Sequence, residues 1–221
     1  MAPRVLVVEG KIAAGKSTLV KILQQRLAPF YRKIVIVPEP VELWESTGAL
    51  AAFYKDIKGK SYEFQTFVFI SRIKVVREAF EKDPDADLYI IERSPYTDYH
   101  IFAAMLHKSG HLEDYQMVMY DIWWNMWMRL WPFMITHVLH LDPGVAKCQE
   151  RNRIRNRTGE DAVDSDYQTK LGAQHDIFFA TQCPHPVHTL KSQVNYCTDM
   201  DEQDRIVVGI KEFLTRPYTK I

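Results

Sequence analysis

The chain is predicted to fold as an α/β protein on a five-stranded parallel sheet flanked by helices, and three features of its sequence lead there. Apolar runs at Val5–Val8, Ile34–Val37, Leu88–Ile91, Ile135–Leu141 and Val187–Leu190 are each separated from the next by helical patterns, which argues for right-handed crossovers between parallel strands. The run Ile34–Val37 is continuously β-branched, as in strands covered on both faces. Polar residues then collect where strands end: a glycine loop after Val8, Pro38-Glu39-Pro40 after Val37 and Glu92-Arg93-Ser94 after Ile91. That edge is where ligands of such sheets bind.

The first strand leads into Gly10-Lys11-Ile12-Ala13-Ala14-Gly15-Lys16-Ser17-Thr18, with G-x(4)-G-K-[ST] spacing, and a helical pattern follows through Leu27. Gly10 and Gly15 permit the tight loop whose backbone amides, through Ala13, Ala14 and Thr18, turn inward around the phosphates of a nucleotide. The helix N-terminus adds its dipole, Lys16 a point charge for the β/γ-phosphates, and Ser17 a hydroxyl for magnesium. A chance glycine and lysine loop is the bland reading, and the strand, loop and helix context argues against it.

The 221 residues suit a single α/β domain over 1–221, and 47% hydrophobic with 25% charged residues is ordinary globular composition. Lys+Arg and Asp+Glu balance at 28 each, so nothing in the overall field suggests a partner in nucleic acid or a membrane surface. Cys148, Cys183 and Cys197 are an odd set without C-x-x-C spacing, which fits a reducing, cytoplasmic setting. No apolar run spans a bilayer, and Val5–Val8 is too short for a signal-peptide core; a mitochondrial or viral origin would leave the same features.

Glu39 stands between two prolines on a stiff segment at a strand end, whereas its plain alternative is an exposed turn glutamate. Val41–Lys55 reads as helical, a polar connector runs to Lys60, and a long helix spans about Ser61–Glu81. On it Gln65, Val68 and Arg72 share a face at i, i+3 and i+7, able to read the edge of a flat polar ligand or else forming a solvated stripe. Glu92, at the end of the third strand, is placed as the acid that commonly orders a magnesium shell.

Helices at about Tyr96–Lys108 and Glu113–Leu130 are parted by Gly110 and stopped by Pro132. Trp123, Trp124, Trp127 and Trp131 exceed what one buried face needs, which points to a homodimer interface. After Asp142-Pro143 a helix carries Arg151, Arg153, Arg155 and Arg157, then Thr158-Gly159-Glu160-Asp161, together an arginine-rich lid over about 151–166. Arg151 and Arg155 share a face, and fraying near Arg157 would wrap the remainder around a triphosphate. Nucleic-acid backbone binding is the rival meaning, but the loop already supplies an anion and no aromatic platform is interleaved. A helix at about Ser165–Thr181 and a last one at Asp201–Leu214 flank the fifth strand. His185 and His188, in a proline-rich turn, read as surface residues rather than metal ligands.

In their order, G-x-I-A-A-G-K-S-T, P-E-P-V, F-Q-T with S-R-I, E-R-S-x-Y-[ST]-D with I-F, and the arginine lid closing on an acid, these motifs resemble the deoxyribonucleoside kinases of the deoxycytidine/deoxyguanosine type over nearly the whole chain. The resemblance implies a P-loop NTPase-like fold that uses ATP or another nucleoside triphosphate with Mg2+. It implies that Glu39 is the general base for the 5′-hydroxyl, with Arg93 beside it. It matches Tyr54 and Glu160 to the sugar 3′-hydroxyl, Gln65 to the base edge, Phe64 and Phe102 to the faces of the base, Arg151, Arg155 and Arg157 to the lid, and Lys16, Ser17 and Glu92 to the phosphate and magnesium site. An Arg72–Asp98 pair accompanies deoxycytidine and purine deoxynucleosides in the enzymes resembled, rather than thymidine. Lys11 stands where close relatives carry asparagine, Val68 replaces a smaller residue, and Cys197–Asp201 has no counterpart to assign.

The other readings are a nucleoside monophosphate kinase, usually with an aspartate-arginine motif in place of Glu92-Arg93, and a catalytically silent subunit of a larger assembly. The latter tend to lose the loop lysine or the base, and Lys16, Glu39 and Arg93 are all present.

Overall fold

A computed structural model describes residues 3–130, 135–157, 160–191 and 196–218. Five strands, β1 (Arg4–Gly10), β2 (Ile34–Val37), β3 (Leu88–Glu92), β4 (His137–Leu141) and β5 (Val187–Leu190), form one sheet in the order β2-β3-β1-β4-β5. Every pairing is parallel, with Val7 beside Ile91 on one side and Val138 on the other. The order reverses beside β1, so its carboxyl end opens into the crevice where the chain turns to opposite sides of the sheet.

β1 is buried on both faces, as its unbroken apolar run requires. Leu6 and Val8 pack with Leu19 and Leu23 of α1 (Lys16–Leu27) and with Ile206, Ile210 and Phe213 of α9 (Met200–Thr215). Val5 and Val7 point the other way, toward Tyr89, Ile91 and Val76 of α4 (Ile57–Lys82). A further core beyond the sheet joins α3 (Ala49–Lys55), α4, α5 (Ala104–Lys108), α6 (Asp114–Leu130) and α8 (Ser165–Thr181) through Phe53, Phe69, Leu106, Tyr120, Leu171 and Phe178.

Several boundaries differ from the sequence reading. Val41–Lys55 is two helices, α2 (Val41–Ser46) and α3, because Gly48 takes the left-handed region at φ 74° between them. The expected polar connector to Lys60 is largely helical: the Asp56 side chain accepts from Gly59 N at 2.9 Å and starts α4 at Ile57. Residues Thr97–Ala103 form a π-helical turn leading into α5. The arginine helix α7 (Val145–Arg155) ends at Asn156, left-handed at φ 47°, so Arg157 lies beyond it and Glu160–Ala162 makes a short 3-10 turn. Thr158 and Gly159 of the lid, and Trp131 and Pro132 after α6, lie outside the described residues. His185 is buried against the Tyr96 ring instead of being a surface residue.

On α6, Trp124 packs against Phe69, Tyr96 and Tyr99, and Trp127 is also turned toward the core. Trp123 faces outward, in a stripe with Tyr115, Val118, Met119, Ile122, Met126 and Leu130 that recurs at helical spacing. Among the described residues no helix is long and apolar enough to cross a membrane.

Candidate active site

The loop after β1 is held by its carbonyl oxygens. Gly10 O accepts from Lys16 Nζ at 3.2 Å and Arg93 Nη2 at 3.1 Å, Lys11 O from Lys16 Nζ at 3.0 Å, and Ile12 O from Gln168 Nε2 at 2.9 Å. Ala14 O accepts from Arg151 Nη1 at 2.7 Å and Gly15 O from the Tyr196 hydroxyl at 3.0 Å. The amides of Ala13, Gly15, Lys16, Ser17 and Thr18 meet no acceptor among the described residues. A run of free N–H groups at the start of a 12-residue helix is an anion site. Glycine is needed at both ends: a Cβ on Gly10, at φ 149°, would sit 2.5 Å from Leu141 O, and one on Gly15, at φ 103°, would overlap the Tyr196 hydroxyl.

Two cavities meet at this loop. The larger, about 530 Å³, brings together Glu39, Tyr54, Phe64, Gln65, Val68, Arg72, Asp98, Phe102 and Glu160. The smaller, about 400 Å³, is lined by Ala14, Gly15, Thr18, Arg151 and Tyr196. Both are lined by Ala13, Lys16, Ser17, Glu92, Arg155 and Arg157; Gly10 lines neither. The larger also includes Arg93.

Within the larger cavity Glu39 Oε1 accepts from Arg93 Nη1 at 2.8 Å and Arg72 Nη2 at 2.9 Å, while Oε2 has no hydrogen-bond partner among the described residues. Burial opposes its charge, but Arg93, Arg72 and Lys16 outweigh it and hold the carboxyl well below the usual carboxylate range. Arg93 takes the left-handed region at φ 60°, unusual for a side chain of its size, and is fixed there by Glu39 and Gly10 O. Lys16 is lowered to about 8, first by burial and then by Arg93.

Arg72 is fully engaged. Its Nε donates to Asp98 Oδ2 at 2.8 Å and its Nη1 to Glu92 O at 3.1 Å, in addition to Glu39. Asp98 is raised, by burial against the pull of Arg72, and its Oδ1 is buried without a partner. Gln65 Oε1 is likewise buried and unpartnered, so the cavity wall presents two acceptors that want N–H donors. Phe64 stacks on Phe53 with centroids 4.6 Å apart, and Arg93 lies 4.9 Å over the Phe102 ring.

The lid arginines are paired within the protein. Arg155 Nη2 lies 2.5 Å from Glu160 Oε2, and Arg157 reaches Glu160 at 3.4 Å and Glu45 at 2.9 Å. Tyr54 is raised well above its ordinary value by burial, then by Tyr167 and Glu160. Ser17 Oγ donates to Glu92 Oε1 at 3.0 Å. One hydroxyl, one carboxylate and adjacent phosphate-binding amides fit magnesium, a hard ion that keeps water ligands and takes the rest from substrate phosphates.

Sequence reasoning did not find Tyr196, Gln168, Tyr167 or Trp44. Tyr196 directly precedes the unassigned segment Cys197–Asp201, yet closes the phosphate loop; Gln168 is one polar residue on a long helix; Tyr167 and Trp44 line the larger cavity without a motif around them.

A compartment lined by free amides and a nucleoside-sized compartment that share a lysine, a hydroxyl and carboxylate pair and two arginines have the makings of a phosphotransferase. The chain belongs to the deoxynucleoside kinase family, whose model matches residues 6–215, and it is a deoxynucleoside kinase. It is similar to a probable deoxycytidine kinase of Fowlpox virus (strain NVSL), 29% identical over 215 residues that cover 96% of this chain and 88% of that protein. It is similar also to deoxycytidine kinase of Homo sapiens, 27% identical over 244 residues, 94% of this chain and 90% of that protein. Mitochondrial deoxyguanosine kinase of Xenopus laevis is 28% identical over 192 residues, 77% of this chain and 71% of that protein.

Proposed function

We propose that this kinase transfers the γ-phosphate of ATP, or another nucleoside triphosphate, to the 5′-hydroxyl of deoxyguanosine, deoxyadenosine or deoxycytidine in preference to thymidine, as a salvage step toward DNA precursors. The observation that carries this reading is the shared wall of the two cavities, Lys16, Ser17, Glu92, Arg155 and Arg157, placed where a donor phosphate from one side would meet an acceptor from the other.

In this reading the triphosphate lies on the free amides of Ala13 and of Gly15 to Thr18, with Lys16 leaving the Gly10 and Lys11 carbonyls for its β/γ oxygens. A magnesium ion held through Ser17 and Glu92 would neutralise phosphate charge. The 5′-oxygen attacks the γ-phosphorus, the bond to the β,γ-bridging oxygen breaks, and the proton passes to Glu39 Oε2. Glu39 is a weak base with three cations near it, which suits a loose transition state needing orientation first and the proton late. Departure of Lys16 to the phosphates removes one of those cations. Arg93, Arg155 and Arg157 surround the transferring group, Arg151 and Arg155 hold the donor, and Glu160 exchanges its arginines for the sugar 3′-hydroxyl with Tyr54.

Gln65, Val68, Phe64 and Phe102 are assigned to the base. Asp98 Oδ1 accepts an exocyclic amino hydrogen, while the Arg72–Asp98 pair takes the room a thymine methyl group needs. The whole chain acts as one domain. Two copies are proposed to meet across the α6 stripe around Ile122 and Trp123, and an odd set of three cysteines without C-x-x-C spacing suits a reducing cytoplasm.

Rates with MgATP and each of the four natural deoxynucleosides, and with thymidylate, test this. The highest kcat/KM is expected on deoxyguanosine, deoxyadenosine or deoxycytidine. Thymidine as the best acceptor would overturn the base assignment, and thymidylate as the only acceptor would make the protein a monophosphate kinase.

A further inference from the structure

The phosphate loop carries a second lysine that the chemistry above does not use. Lys11 is only 4% exposed and lines neither cavity. A lysine so deeply buried needs a partner, and here the ammonium pairs with the carboxylate of Asp142, just past the end of β4. Its stem lies against α8, where a Cβ on Gly172 would be 3.4 Å from Lys11 Cδ.

The same residue orients the loop through its backbone. Lys11 O accepts from Lys16 Nζ at 3.0 Å and from Ala14 N at 3.2 Å, so fixing the Lys11 side chain fixes the carbonyl that holds the phosphate lysine. Asp142 lies two residues before Gly144, from which α7 starts, and α7 returns Arg151 to Ala14 O at 2.7 Å. The loop is therefore tied twice to one segment, at Lys11 by Asp142 and at Ala14 by Arg151.

We propose that Lys11 and Asp142 are a positioning pair that sets the affinity for the triphosphate donor by holding the phosphate loop against the segment leading into the arginine helix. Lys11 is not itself a phosphate ligand, since its charge is already matched by Asp142 and is turned away from both cavities. The inference rests on the loop being the donor site. It carries a sign opposite to simple electrostatics, because removing a carboxylate near an anion site should tighten anion binding, whereas releasing the loop weakens it.

Calorimetric titration of the full chain with MgADP, with donor and acceptor kinetics alongside, tests the pair. Asp142→Asn and Lys11→Asn are each expected to weaken MgADP binding and raise the donor KM roughly tenfold, with the acceptor KM within about twofold. The double variant should be no weaker than either single variant, and Lys11→Arg should restore most of the affinity. Unchanged or tighter MgADP binding by Asp142→Asn overturns the proposal, as does Lys11→Asn weakening binding while Asp142→Asn does not, which would make Lys11 a phosphate ligand. If Asp142→Asn does not fold, Lys11→Asn and Lys11→Arg decide: equal MgADP affinity in all folded proteins overturns the pair. Absence of MgADP binding by the unmodified chain would instead overturn the donor-site reading.

Discussion

Arg72 donates to Asp98 through Nε at 2.8 Å and to Glu39 through Nη2 at 2.9 Å, so one guanidinium joins a carboxylate in the π-helical turn to a carboxylate beyond β2. In the proposed reading this joins the residues assigned to base choice to the one assigned to proton transfer. Arg72→Met alone leaves Asp98 buried without its cation, which costs roughly 3–5 kcal/mol where a buried pair is broken from one side. Arg72→Met with Asp98→Ala should therefore recover much of the denaturation midpoint lost by the single variant. In competition assays the double variant should shift the thymidine-to-deoxycytidine kcat/KM ratio toward thymidine by roughly tenfold or more.

Glu39→Gln should keep most of the nucleoside affinity and lower kcat by roughly 10²-fold or more, the usual worth of general-base help. Single-turnover rates with a pre-bound nucleoside separate the two effects. A folded variant with near-normal turnover would remove Glu39 from that role.

Arg155 and Arg157 now spend their charge on Glu160 and Glu45, and are proposed to turn to the transferring phosphoryl group. Alanine at either position should reduce kcat by roughly 10²-fold while changing nucleoside binding far less, because charge there is best used in the transition state. Comparison of kcat with the nucleoside dissociation constant reads this directly.

The α6 stripe is an apolar surface with Ile122 at 64% and Leu130 at 68% exposure, more than an isolated helix face usually leaves in water. Sedimentation of the unmodified protein at micromolar concentration should give a dimer, and Ile122→Glu should give a folded monomer. A dimer unaffected by that charge would place the interface elsewhere.

Acid should destabilise the fold well before the carboxylates titrate. His100, His137, His140 and His185 are each pushed down to about 4, first by burial, and burial also holds His175 well below its ordinary value, so the unfolded chain binds protons that the folded chain refuses below the ordinary histidine value of 6.5. Their stabilisation is present above 6.5 and is lost as pH falls toward 4. Glu9, raised to about 7 by burial against its hydrogen bond from Thr97, and Asp98, also raised by burial, work the other way, but they are two groups against five. The thermal midpoint should fall steadily between pH 6.5 and 4.5, and a flat profile would refute the neutral buried histidines.

Much of this site was legible because its residues sit at fixed offsets from sharp local signals. Lys16 and Ser17 follow from loop spacing, Glu39 from its prolines, and Gln65, Val68 and Arg72 from helical periodicity. The Arg72–Asp98 pair was reached from the positions of both residues together with family likeness, and the structure contains it at 2.8 Å. What escaped depends on contacts between distant segments. Asp56 starts a helix inside a stretch that looks like a polar linker, Gly48 divides one amphipathic pattern in two, and Tyr196 closes a loop 181 residues away in sequence. His185 looked like a surface residue because prolines flank it, yet its ring packs against Tyr96, a neighbour that local sequence does not reveal.

The carbonyls of Gly10, Lys11, Ile12, Ala14 and Gly15 are held by side chains arriving from α1, the end of β3, α7, α8 and the segment before α9. The conformational entropy of the loop is thus lost when the chain folds, not when a nucleotide arrives. Donor binding should accordingly slow amide hydrogen exchange at Ala13 and Gly15, whose free amides would meet the phosphates, and change it little at residues 10–12. A residue such as Gln168, remote from the reacting atoms, then influences affinity through the freedom it denies the loop; its replacement by alanine should appear in calorimetry as a less favourable binding entropy.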